Sequence, residues 1–93
     1  MLKGDIRNLT LQTTAAETQF LRTELLAGLN FAKIALEAED QKKVERNRVN
    51  ARKAYDALLR FIPDAALSSE ETKEINSQLS ELKADLQRLG EDV

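Results

Sequence analysis

The residues of this chain best suited to chemistry are its carboxylates. Glu17 and Glu24, Glu37 and Glu45, and Glu81 and Asp85 recur at helical spacing, where one helix face could gather them as an acid–base or hard-cation pair. The groups that normally work beside them are missing, because the 93 residues contain no His, no Cys and no Trp. The commonest general base, the commonest metal ligand and the commonest activated nucleophile are thereby removed together. A di-metal bundle of the Glu-x-x-His kind cannot be built. There is no Gly-rich phosphate loop and no nucleophile elbow. The sequence therefore offers no catalytic residue, metal ligand or cofactor-binding residue, and it assigns the carboxylates to solvated helix charge. The expectation is a protein that is not an enzyme and carries no cofactor.

Cations give a second pattern. Lys42, Arg46, Lys53 and Arg60 fall on one side of a helix, and such a stripe can track phosphates. Against nucleic-acid binding stand the neighbouring acids Glu37, Glu39, Asp40 and Glu45, the absence of an interleaved aromatic for base stacking, and a net charge of −2. An ion-paired, solvated face is the simpler reading of the stripe.

The elements that must position these groups are helices. Between Thr14 and Ile62 there is one glycine and no proline. Thr14-Ala15-Ala16-Glu17 has capping-box spacing, so a first helix is expected from about 14 to 38, with Thr14 as N-cap. Leu2, Ile6, Leu9, Thr13, Ala16 and Phe20 share a helical face, which allows an earlier start near Asp5. Two apolar stripes run along this helix: Leu21, Leu25, Gly28, Leu29, Ala32 and Leu36, and then Phe20, Ala27, Phe31 and Ile34. A helix packed on one side needs one stripe, so this one is expected to touch two neighbours, or one neighbour and a partner chain. An interior Gly28 costs about 1 kcal/mol relative to Ala, which a close helix crossing would justify.

A turn near Glu39 to Gln41, with Asp40 as N-cap, should start a second helix over about 42–62, with Val44, Ala51, Ala54, Tyr55, Leu58, Leu59 and Ile62 inward. Pro63 ends it and should push Ile62 out of helical geometry, while Tyr55 is expected at the core rim to satisfy its hydroxyl. Ser68-Ser69-Glu70-Glu71 repeats the capping-box spacing and opens a third helix over about 69–89. Ile75, Leu79, Leu82, Leu86 and Leu89 form a narrow heptad seam, and Gly90 is the stop.

Gly28, Phe31, Ala51, Tyr55, Leu58 and Pro63 resemble the sparse signature of a tetratricopeptide helical hairpin over Leu25 to Pro63. The interval from Gly28 to Ala51 exceeds that family's by about three helical turns, which would lengthen both arms and put the turn near Glu39 and Asp40. The three-helix plan, with the run Ala51-Arg52-Lys53-Ala54-Tyr55-Asp56-Ala57-Leu58-Leu59, is more distantly similar to the microtubule-interacting-and-transport domain. Both resemblances imply peptide or protein binding.

Apolar residues at 42% and charged residues at 32% describe a folded chain, and 93 residues suffice for one core. The expected architecture over residues 1–93 is a single all-α domain, a three-helix bundle in which two long antiparallel helices carry a third through its leucine seam. Met1 to Arg7 lacks the apolar run of a signal peptide and no window is long enough for a membrane span, so the chain as it stands reads as cytoplasmic with no membrane partner; a fragment of a secreted protein would void that inference. Asn8-Leu9-Thr10 matches a glycosylation acceptor by chance in that setting. The leading functional expectation is a non-enzymatic interaction module that holds a partner helix on Phe20, Ala27, Phe31 and Ile34, a surface to which Leu2, Ile6 and Leu9 belong by either covering that groove in the same chain or reaching another protomer. A self-assembling homodimer is the alternative, and nucleic-acid contact through the second helix the third reading.

Overall fold

A computed structural model describes the backbone of residues 2–93 and the side chains from residue 15 onward. It is an all-α three-helix bundle: α1 (Leu2–Glu37), α2 (Gln41–Phe61) and α3 (Ser69–Arg88), with a 3₁₀ turn at Ile62–Asp64. The caps written in the sequence explain most of these bounds. Asp40 accepts the Lys42 backbone N–H at 3.1 Å and starts α2. Ser68 and Glu71 form the complete reciprocal box, with Ser68 Oγ accepting from Glu71 N at 3.1 Å and Glu71 Oε1 accepting from Ser68 N at 2.9 Å. Gly90, at φ +91°, closes α3 in a Schellman turn: Gly90 N donates to Gln87 O and Glu91 N to Leu86 O.

Two local expectations fail for identifiable reasons. Thr14 is not an N-cap, since α1 runs through it from Leu2 and extends to 36 residues. The apolar periodicity of residues 2 to 20 continues unbroken across Thr14, and the capping-box spacing there goes unused. Ile62 keeps helical dihedrals of −56° and −45° ahead of Pro63. The chain instead tightens to a 3₁₀ turn in whose first positions the missing proline N–H is not needed.

The register of the bundle follows from a few contacts. Phe20 meets Phe61, and a Cβ added at Gly28 would lie 3.1 Å from Ala54 Cβ, so α2 runs antiparallel to α1. Arg22 Nη2 pairs with Glu74 Oε2 at 3.3 Å, and the same added Cβ would lie 2.9 Å from Leu82 Cδ2, so α3 runs parallel to α1. Gly28 is therefore where all three helices converge, the close crossing that its position suggested. Around it Leu21, Leu25, Ala32, Ala51, Tyr55, Leu58, Ile75, Leu82 and Leu86 form the buried core. Each fully buried leucine contributes about 1.5–3 kcal/mol by leaving water. α3 packs chiefly on α1 and touches α2 less.

Within that core the seam of α3 lies inward as its spacing requires, with Ile75, Leu82 and Leu86 buried and Leu79 and Leu89 packed at its edges. Tyr55 is only 6% exposed, deeper than the rim position expected. Leu36 and Leu59, both assigned inward, are 40% and 48% exposed because the core ends before Leu36 and is already filled by Leu58 next to Leu59. Thr18, Ala35 and Asn47 are buried in places the apolar pattern did not mark. Asn47 Nδ2 donates to Lys43 O at 2.8 Å, and the Thr18 hydroxyl reaches the Glu71 carboxylate across the α1–α3 contact. No buried side-chain nitrogen or oxygen lacks a partner among the described residues.

The molecule is long, 59 × 22 × 17 Å, with a radius of gyration of 16.1 Å. A compact chain of this size would have about 12 Å. The excess comes from α1, whose 36 residues span about 54 Å at 1.5 Å each. Since Ser69 begins α3 near the level of Ala16, and the turn after Phe61 reaches the same level, residues 2 to 14 of α1 continue past the ends of α2 and α3.

Candidate interaction surface

The apolar face proposed from sequence divides in two. Phe31 packs against the core and Ala27 is half-buried, so the middle of the second stripe is used internally. Phe20 is 43% exposed at one end and Ile34 39% at the other, two separate places about 21 Å apart along the helix. Leu2, Ile6 and Leu9 have side chains outside the described residues.

The Phe20 end has a built concavity. Phe20 and Phe61 meet edge to face, centroids 5.4 Å apart at 88°. With Ala16, Leu21 and Ala65 they line a groove of about 430 Å³, and Glu17 and Asp64 supply its acidic rim. Each wall has a separate local cause. Phe20 lies on the α1 flank facing α2, Phe61 is the last residue of α2, and the 3₁₀ turn that Pro63 enforces brings Asp64 and Ala65 back beside Ala16. Phe61 is 45% exposed despite its aromatic contact and was not marked by sequence reasoning. Its part depends on where α2 stops, which no periodicity gives.

The basic stripe is differently placed. Lys42, Arg46, Lys53 and Arg60 are all exposed on the side of α2 opposite Ala51, Ala54 and Leu58. None of the four makes an ion pair among the described residues. The pairing goes to Arg48 and Arg52 instead: Arg48 bonds Glu45 and Glu91, and Arg52 bonds Asp56 at 3.0 Å and Glu91 at 3.1 Å. Glu91 is aimed at α2 by the Gly90 turn, so it fastens the end of α3 to the middle of α2. These bonds keep both guanidinium pKa values raised, Arg48 chiefly through Glu45 and Arg52 chiefly through Asp56. A shallow depression of about 500 Å³ lined by Gln41, Lys42, Glu45, Arg46, Val49 and Asn50 lies at the start of the stripe.

Two of the carboxylates considered first are held in ion pairs. Asp85 pairs with Arg88 at 3.4 Å and Glu45 with Arg48. Among the described residues no three acids gather as a metal ion would require. Among them too, no helix is long and apolar enough to cross a membrane. The Glu71 carboxyl is held below its ordinary value, first by the Ser68 backbone N–H it accepts, then by the Ser68 and Thr18 side chains and by Arg22; this is a structural cap.

Compared with protein-family models, curated proteins and solved structures, the chain matches none.

Proposed function

We propose that this chain is a non-enzymatic protein-interaction module that docks an amphipathic helix on the Phe20–Phe61 end of the bundle. The observation that carries the reading is the groove itself: two half-exposed aromatic rings over a floor of Ala16, Leu21 and Ala65, with acids at the rim only. Such an apolar floor with a charged border suits the i, i+3, i+4 anchors of a helix carrying cations beside its apolar stripe. The tetratricopeptide-like spacing of Gly28, Phe31, Ala51, Tyr55, Leu58 and Pro63 is in keeping with peptide binding. A cytoplasmic setting also belongs to this reading.

Self-association is the second reading, favoured by the continuation of α1 beyond its neighbours. Polyanion binding along Lys42, Arg46, Lys53 and Arg60 has less behind it, because Glu45 and Asp56 flank that line and no aromatic side chain lies on it. The docking reading is tested by titrating a synthetic amphipathic helix, leucine at its a and d positions and lysine at e, into isotope-labelled protein. Amide and methyl shifts should move at Ala16, Phe20, Leu21, Phe61 and Ala65, and Phe61→Glu should abolish them. Shifts at none of these residues at millimolar peptide, or equal shifts in the variant, would contradict it.

A further inference from the structure

Resting on the docking reading above, we infer that the helix seated in the groove is α1 of a second copy of this chain, paired antiparallel about a two-fold axis near Leu11. The first observation is continuity. Because α1 is one helix from Leu2 to Glu37, its first residues lead away from the groove and cannot fold back to fill it in the same molecule. The second is length. Residues 2 to 14 extend about 20 Å beyond α2 and α3, and a helix in a protein draws most of its stability from a packed face, which neither of those helices reaches far enough to supply here. The third is spacing. Leu2, Ile6, Leu9, Thr13, Ala16 and Phe20 follow one another at alternating four and three residues, an uninterrupted heptad seam on the flank of α1 that ends in the groove.

That seam is complementary to itself when reversed. In an antiparallel pair Leu2 stands at the level of the partner's Phe20, Ile6 at that of the partner's Ala16, and Leu9 at that of the partner's Thr13, so large positions oppose smaller ones in two of three layers. Leu2 of one copy then arrives beside the Phe20–Phe61 groove of the other, where the partner's own bundle begins. The flanking charges agree with this register. Antiparallel helices bring the e positions of the two chains together, and those are Lys3, Thr10 and Glu17. Lys3 therefore takes the register position facing the partner's Glu17 at the acidic rim of the groove, twice by symmetry, and Thr10 the position facing its own copy. A parallel pair would set Gln12 against Glu17 and Asp5 against Thr10, with no opposite charges matched, and would crowd both bundles at one end.

The test is the solution mass of the full chain by light scattering over a hundredfold concentration range, for four proteins: wild type, Lys3→Glu, Glu17→Lys, and the double exchange. The wild type should reach twice its 10.5 kDa, and each single variant should weaken dimerisation by roughly tenfold, as expected for two lost exposed pairs and new like-charge contacts. The double exchange should restore wild-type association. Helicity by circular dichroism shows that each variant is folded, and Ile6→Glu, on the part of α1 that runs past α2 and α3, provides a second dissociating variant. A wild type that stays monomeric throughout overturns self-pairing, and the peptide titration then decides the docking reading separately. A dimer indifferent to Lys3→Glu, or one that the double exchange fails to restore, overturns the antiparallel register.

Discussion

Gly28 and Phe20 lie on the same helix about 12 Å apart, and they meet opposite surroundings. At Gly28 three helices converge so closely that a single added carbon would press on Leu82 and Ala54. At Phe20 a large ring is left 43% exposed over a groove. The first site is filled by this chain alone; the second stays open although two aromatic rings meet there. Burial thus follows how many elements reach a given level of α1, and local hydrophobicity alone does not decide it. Both α2 and α3 pass Gly28, whereas only the ends of each reach Phe20.

Breaking the packed region should have the largest effect. Leu82→Ala is expected to cost about 3–4 kcal/mol in urea denaturation, since it removes a fully buried side chain and leaves a cavity. Gly28→Ala should cost a net 1 kcal/mol or so, the clash with Leu82 and Ala54 outweighing the roughly 1 kcal/mol gained in helix propensity. The two changes touch the same space and should not add. In the Leu82→Ala background, Gly28→Ala should become neutral or stabilising, and strict additivity would show that the crossing is not where the two helices constrain each other.

The capped start of α3 offers an intermediate effect. Ser68→Ala should cost about 1 kcal/mol through loss of the Glu71 N–H partner. It should also flatten part of the acid limb of stability. The Glu71 carboxyl is lowered from an ordinary 4.5, so its contribution is complete above that value and is lost as pH falls through the lowered one. A pH profile of unfolding free energy between wild type and variant that runs parallel below pH 4.5 would remove this assignment.

The smallest effect on stability is expected at the open end. Phe61→Ser should change monomer unfolding by less than about 1 kcal/mol, because nearly half of the ring is already in water and its main contact is one edge-to-face pair. A loss comparable to that of Leu82→Ala would place Phe61 in the core and take away its character as a docking wall.

Much of this contrast can be read from the residues, but unevenly. Asp40, Ser68 with Glu71, and Gly90 act on backbone groups within a few positions, so their types and spacing suffice. Gly28 could be identified as a crossing because glycine inside a strong helix needs a reason. Thr14 misled because capping-box spacing is a local signal, and the apolar period running from Leu2 to Phe20 prevails over it. Phe61 and Glu91 were out of reach for another reason. Their roles depend on contacts to Phe20 and to Arg48 and Arg52, set by where two helices end in space. The exposed position of Leu36, one turn beyond Ala32, likewise reflects how far α2 and α3 extend along α1.

The most direct measurement is amide hydrogen exchange along α1 at low and high protein concentration. The account predicts slow, concentration-independent exchange from Leu21 to Ala35, where the bundle surrounds the helix, and protection of residues 2 to 14 that rises at least tenfold as a second copy covers their apolar face. Exchange in residues 2 to 14 that is the same at both concentrations would contradict it.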